Sequence, residues 1–573
     1  MRKLLKYLKH YKVQSVLAPL FKLLEAAFEL FVPLVVSAII NSIDGGSKDV
    51  SFIVYACLIL VALGVVGLIS AVSAQYFAAK AAVGFSKELR HDLFVKMQSL
   101  SYSQIDKLGA GKMITRMTSD VNQVQSGVNL VLRLFMRSPF IVFGAMIMAF
   151  IIDTVAGGIF AVAIAVLCAV VFSIMLACIP LYKKVQGNLD KVTVSTRETL
   201  TGARVLRAFC KEDDEINDYE KKNAALTKSQ LFVGKISALM NPLTYAIINV
   251  AVIVLLYIGA LKFDGGILDR GQVVALYNYM SQILIELIKL ANLIITVTKS
   301  FACAGRINEI LDMQSSIKQG VEGVVESVHF IEYRSVAVNY SDSPLNALDS
   351  VSFTVDRGQT IGIIGGTGAG KTTLVNVLPH FYDASEGEIL VDGKNVNSFG
   401  DEALRDICGI VPQKAVLFEG TIRDNMKWGK NDATDEEILE AIRAAQAEDV
   451  VNSKELGLDE IVEQGGKNFS GGQRQRLTIA RALVKKPQIL ILDDSASALD
   501  YATDAKLRQS LKNLDYSPTV FMVSQRTSSI RHADKIIVLD GGKMVGCGTH
   551  DELLKSNELY REIHYSQFKK EGA

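Results

Sequence analysis

The sequence predicts two architectures in one chain: a six-span α-helical transmembrane bundle, then an α/β domain built around a phosphate loop. Three observations carry this. Six apolar segments long enough to cross a bilayer lie before residue 300. From Ile331 the pattern changes to short β-type runs alternating with helices. One of those runs, Thr360–Ile364, leads straight into Gly365, Gly366, Thr367, Gly368, Ala369, Gly370, Lys371 and Thr372.

The spans are expected near 16–41, 52–77, 129–152, 156–180, 237–261 and 271–297. A chain of 573 residues exceeds one domain, and an apolar share of 50% beside a charged share of 21% fits a protein partly in lipid. The net charge of +1 gives no sign of nucleic acid, and none is expected as a partner. Seven scattered cysteines without a C-x-x-C read as small buried hydrophobes, not as a disulfide or zinc framework. The basic start, Met1–Lys12, precedes an apolar stretch too long for a cleaved signal, so it reads as a cytoplasmic lead-in to the first span.

Loops after the first, third and fifth spans are short and almost free of Lys and Arg. Those after the second and fourth are long and basic, with Lys80, Lys87, Arg90, Lys96, Lys183, Lys184, Arg204 and Arg207. The positive-inside rule therefore puts the long loops, both termini and the α/β half on the cytoplasmic side. Apolar residues at helical spacing, as from Phe85 to Leu93, run out of the preceding span, so the spans are expected to continue as helices into the cytoplasm. Each long loop has a glycine-marked break, at Gly109–Asp120 and at Thr201–Phe209. These are either ordinary turns or short elements that press on the α/β half. The expected limits are 1–305 for the membrane domain, 306–330 for a joining segment and 331–573 for the α/β domain.

The glycine loop sits between a strand and a helix, the context in which such a loop holds phosphate. Gly365, Gly368 and Gly370 let backbone N–H groups converge on phosphate oxygens at the positive end of a helix. Lys371 is placed to reach the β- and γ-phosphates, and the Thr372 hydroxyl to ligate Mg²⁺. Asp493, ending the apolar run from Gln488, is the carboxylate expected to hold the metal. A second helix start, Phe469 followed by Ser470, Gly471, Gly472 and Gln473, makes a further anion site from N–H groups and a hydroxyl. One loop cannot use two such helix ends on the same side, so the second should face another nucleotide.

With these motifs in this order, the chain resembles the ABC exporter family of multidrug-exporter type, six spans fused to an ATP-binding cassette. The resemblance implies ATP and Mg²⁺ as cofactors, with Gly366, Thr367, Ala369 and Thr373 completing the phosphate-binding set. It implies that Tyr340 stacks on adenine, and that Gln413 is the glutamine contacting the metal or attacking water. It also implies that Glu463–Gly466 touches a partner's loops and that Ser497–Asp500 is the D-loop. Two cassettes of this family close head-to-tail, so Ser470, Gly471, Gly472 and Gln473 would serve the partner's nucleotide.

Two positions depart from the family pattern. Where a competent member has Glu as base after the metal-binding Asp, this chain has Asp494. Losing one methylene withdraws the carboxylate by roughly 1 Å, enough to cost about 10²-fold where positioning decides the rate. The switch position, usually His, is Gln525, whose NH₂ still donates but carries no positive charge. An unaltered signature beside a weakened base is the pattern of one chain in a heterodimer whose partner supplies Glu and His. The expected function is ATP-driven export of amphipathic or hydrophobic compounds across the cytoplasmic membrane by such a pair. A homodimer with Asp494 as slow base, and a nucleotide-binding regulator that does not pump, are the alternatives. A soluble ATPase is excluded by the spans.

Charges inside spans are costly and are either paired or functional. Lys22, Glu25 and Glu29 share one face of the first span, and Glu286 and Lys289 form an i, i+3 pair in the sixth. Either they pair within the bundle and orient its helices, or Glu25 and Glu29 line a cavity that attracts cationic amphiphiles.

Overall fold

A computed structural model describes residues 2–44, 50–314, 328–340 and 345–568. It divides into two compact units, one of Met1–Ser99 with Gly109–Met313, the other of Leu100–Leu108 with Gln314–Ala573.

The first unit is helical throughout. Among the described residues six helical segments are long and apolar enough to cross a membrane: Lys3–Asp44, Val50–Gln98, Ala110–Ile152, Thr154–Thr201, Glu212–Asp264 and Arg270–Asp312. All are longer than the roughly 20 residues a bilayer needs, and the second and fourth run on as single helices, Val50–Gln98 and Thr154–Thr201. The helical continuation expected from the apolar spacing is therefore present. The expected joining segment at 306–330 begins inside the last helix, which ends at Asp312; its residues 315–327 lie outside the described residues. Helical spacing of Cys303, Ala304, Ile307 and Ile310, all buried, carries that helix past the span.

Small residues set the packing of the second helix. Its buried face includes Ala74, Ala78, Ala81, Ala82 and Gly84, while Leu58, Val61 and Leu68 point outward, as a lipid-facing surface requires. A Cβ on Gly84 would stand 2.1 Å from the Tyr11 ring, so glycine here lets the N-terminal helix Arg2–Tyr11 lie close. At the bundle centre Tyr279 is fully buried among Leu30, Phe160, Leu167 and Ile283, and its hydroxyl donates to the Leu30 carbonyl at 2.6 Å. That bond satisfies the only polar atom the ring brings into the core.

The in-span charges are paired. Lys22 bonds Glu25 at 2.5 Å, Lys289 bonds Glu286 at 2.7 Å, and the Ser138 hydroxyl donates to Glu286 at 2.8 Å. Arg137 joins the two groups: its guanidinium lies 2.7 Å from Glu25, 2.6 Å from Glu29 and 3.5 Å from Glu286. Three cations thus face three carboxylates, and the cluster is neutral. Glu25, Glu29 and Arg137 also line a cavity of about 620 Å³ whose other walls include Phe28, Val32, Leu60 and Leu63.

The second unit holds two main sheets. The larger has strand order Lys543–Gly548, Lys535–Asp540, Thr360–Gly365, Thr519–Val523, Ile489–Asp493, Cys408–Val411. Its first pair is antiparallel and the rest are parallel. The Ile489–Asp493 and Thr519–Val523 strands are buried along their whole length, which is why they read as unbroken apolar runs instead of alternating ones. The smaller sheet orders Leu348–Val355, Ile331–Val338, Glu386–Val391 and Lys394–Asn395, all antiparallel. Tyr333 and Phe353 stack between its strands at 4.3 Å. The short helix Tyr102–Leu108 belongs to this unit: Tyr102 stacks on Phe381 at 4.3 Å, and the Tyr382 hydroxyl donates to Asp106 at 2.6 Å.

Candidate functional site

Three parallel strands end side by side and bring residues expected to bind phosphate to one edge. Register pairs Val523 with Asp493 on one side and with Ile363 on the other, so Gly365, Asp493 and Ser524 leave the sheet together. Ligands of open parallel sheets gather at this carboxyl end.

The loop after Thr360–Gly365 requires glycine at two points. A Cβ on Gly365 would meet the Leu539 carbonyl at 2.1 Å, and one on Gly370, at φ +95°, would meet the Ala347 carbonyl at 2.5 Å. The helix Lys371–Val377 starts immediately after. Lys371 turns back over the loop, its ammonium donating to the carbonyls of Gly365 at 2.8 Å and Gly366 at 2.6 Å. Burial lowers its pKa, with the Asp494 and Asp493 carboxylates opposing. A lysine partly stripped of water and held against the glycine loop at a helix start suits a polyanionic ligand.

Thr372 and Asp493 meet, the hydroxyl donating to the carboxylate at 3.1 Å. Asp493 is almost wholly buried, and burial raises its carboxyl pKa, with the Thr372 bond pulling the other way. Hydroxyl and carboxylate are hard oxygen donors, fitting Mg²⁺ that completes its shell from water and phosphate. The described residues contain no group of three or more His, Cys, Asp or Glu that could cage a metal alone.

Asp494 follows at φ +46°, a conformation that Asp tolerates better than most side chains. Its N–H donates to the Val523 carbonyl at 3.1 Å, and Gln413 donates to its carboxylate at 3.4 Å. Burial raises the Asp494 carboxyl, while Gln413, Lys371 and Arg526 lower it. Gln413 is therefore brought to Asp494. Gln525 lies two residues beyond Val523 with its side chain exposed. Tyr340 stands beside the first turn of the helix Lys371–Val377, its hydroxyl 3.0 Å from that of Thr373 and its ring edge-on to Tyr382 at 5.2 Å.

Ser470 caps the helix Gly471–Val484 in a capping box: Gln473 N–H donates to the Ser470 hydroxyl, and the Ser470 N–H donates to the Gln473 side chain at 2.9 Å. Ser470 and Gly471 are exposed. This helix packs on Ile422–Lys427, Asp435–Ala444 and the strand Cys408–Val411, whereas the helix Lys371–Val377 packs on Thr360–Gly365, Ile489–Asp493 and Thr519–Val523. The two helices thus pack against opposite faces of the larger sheet. In Ser497–Asp500, the Ser497 hydroxyl donates to the Asp494 carbonyl at 2.8 Å, and Asp500 caps the helix Tyr501–Lys512.

Two site residues carry no motif of their own. Arg526 donates to the carbonyls of Leu499 at 3.1 Å and Ser497 at 3.2 Å and lies over the Tyr501 ring at 5.0 Å, tying the switch segment to residues 497–501. Gln567 bonds the same segment from the last described helix, 42 residues away from Gln525. Adjacency to Gln525 could have flagged Arg526. Nothing local marks Gln567.

Residues 15–287 match the family described as ABC transporter transmembrane region, and residues 348–497 the family described as ABC transporter. An uncharacterised ABC transporter ATP-binding protein of Bacillus subtilis, YfiB, is 33% identical, with all of both chains covered. An ATP-dependent lipid A-core flippase of Syntrophus aciditrophicus is 30% identical over 84% of this chain and 80% of its own. The structure of a bacterial Atm1-family ABC exporter with ATP bound shares the fold, with a TM-score of 0.81 at 23% identity over 98% of this chain and 99% of that one.

Proposed function

Because this chain belongs to the ABC transporter family, a multi-pass membrane exporter with an ATPase cassette, we propose that it is the degenerate-site half of a heterodimer. It exports small amphipathic or hydrophobic compounds, multidrug or lipid-like, from the cytoplasmic side, where both termini lie. ATP supplies the phosphoryl bond whose cleavage drives transport. The backbone of Gly365–Gly370 and Lys371 hold its phosphates, Thr372 and Asp493 its Mg²⁺ with Gln413 beside them, and Tyr340 its base.

The observation that carries the reading is the contrast between two helix ends. Ser470 and Gln473 form a complete, exposed capping box, while the base position holds the short Asp494, drawn toward Gln413, and the switch position holds an amide. The first is fit to complete a partner's site; the second clasps nucleotide and cleaves it slowly. The lipid A-core flippases among its relatives favour a lipid-like cargo. A homodimer with Asp494 as base is the second reading, favoured by the raised carboxyl pKa of Asp494, which makes it a stronger proton acceptor than a solvent-exposed Asp.

Purified and reconstituted alone, the chain is expected to hydrolyse ATP about 10²-fold more slowly than when co-purified with a half-transporter carrying Glu and His at the two altered positions. Equal turnover from the chain alone favours the homodimer. Replacing Tyr340 by Ala is expected to weaken nucleotide affinity about tenfold, since stacking on a base is worth about 1–3 kcal/mol. Equilibrium binding of a fluorescent ATP analogue checks it, and unchanged affinity removes Tyr340 from the site.

A further inference from the structure

We propose that Gln567 is a positioning residue for the switch segment, its carboxamide clamping the main chain on both sides of Arg526 so that Gln525 is presented to the phosphate edge. The inference rests on the reading of Gln525 as the switch position.

The amide is used at both ends. Its NH₂ donates to the Gln525 carbonyl at 2.7 Å; its oxygen accepts from the Thr527 N–H at 2.9 Å and from the Thr527 hydroxyl at 3.2 Å. One planar group therefore reads residues 525 and 527 as a paired strand would, fixing the direction in which the backbone leaves Ser524. An imidazole contact reinforces it, with His564 Nδ1 3.2 Å from the Thr527 hydroxyl.

The helix that supplies Gln567, Glu558–Gln567, is itself anchored. Tyr560 is fully buried with its hydroxyl 2.7 Å from His550 Nδ1, and Asn557 caps the helix through the Tyr560 N–H while donating to the Val545 carbonyl at 2.8 Å. On the opposite side, Arg526 is held by the carbonyls of Leu499 and Ser497. The switch segment is thus gripped between the D-loop region and the last described helix. Gln525, whose own side chain is exposed, takes its position from these grips. Gln567 is also exposed, so shortening it opens no cavity, and its loss acts on geometry, not on the core. Reactions that depend on positioning lose rate steeply for small displacements.

Two arms test this on the full chain. The first needs no turnover: amide hydrogen exchange at Thr527 is expected to speed up in Gln567→Ala and to stay slow in Gln567→Glu, which keeps the accepting oxygen. Unchanged Thr527 exchange in Gln567→Ala overturns the proposal, whatever becomes of the degenerate-site reading. The second uses the Asp494→Glu, Gln525→His chain purified alone, where every nucleotide site depends on its own switch segment. There, Gln567→Ala is expected to lower kcat about tenfold with KM for ATP and thermal midpoint unchanged. A parallel fall in thermal midpoint, or a KM effect without a kcat effect, assigns Gln567 a merely structural or binding role and ends the proposal.

Discussion

The chain carrying Asp494→Glu together with Gln525→His is expected to hydrolyse ATP about 10²-fold faster than the natural chain when each is purified alone. Asp494 hangs from the edge of the sheet where Gly365 and Asp493 also emerge, and its carboxylate lies 3.4 Å from the Gln413 amide. Adding a methylene extends the base toward the phosphate loop by roughly the 1 Å that a positioned water needs. His at 525 supplies a donor that can carry charge, where the amide offers only a neutral one. Each substitution alone is expected to recover less, because groups that act as a unit contribute non-additively. Phosphate release measured in proteoliposomes checks this. No gain from the double variant would mean that Asp494 and Gln525 do not limit the site, and the heterodimer reading would lose its main support.

Arg137→Ala is expected to destabilise the membrane unit by about 3–5 kcal/mol, the cost of removing one partner from a buried ionic network. Arg137 is 7% exposed and touches Glu25, Glu29 and Glu286. Without it, three carboxylates face Lys22 and Lys289 alone in a medium that tolerates no surplus charge. The measurement is the thermal midpoint in detergent, with Glu25→Gln added to Arg137→Ala as the control. That pair restores neutrality and is expected to recover much of the loss. A midpoint that Arg137→Ala leaves unmoved would show that Glu25, Glu29 and Glu286 are solvated or partnered elsewhere.

This network also shows where sequence reading stopped. Lys22, Glu25 and Glu29 stood out because they interrupt an apolar run at helical spacing, and Glu286 with Lys289 for the same reason. Arg137 sits early in the expected third span, four residues after Arg133, so nothing local distinguished it from a cation flanking the span. Its role is tertiary, set by helices 108 to 149 residues away in sequence. Of the two readings of those charges, mutual pairing matches the bonds observed, and Glu25 and Glu29 also line a cavity as the other requires. The strands of the larger sheet were legible for the opposite reason. Burial on both faces leaves an apolar signature that no neighbour alters, and the glycines of the phosphate loop are legible as a motif, although the backbone that excludes a Cβ there comes from Leu539 and Ala347. Arg526 and Gln567 act through contacts between segments that are local only in space.

The helix Tyr102–Leu108 has a practical corollary. The polypeptide passes between its two units three times, at 99/100, 108/109 and 313/314. An isolated cassette cut anywhere in the joining segment would therefore be missing a piece of its own surface, and Phe381 and Tyr382 would face water without Tyr102 and Asp106. Such a fragment should be sticky and prone to self-association, and a peptide spanning residues 100–108, supplied separately, should make it better behaved.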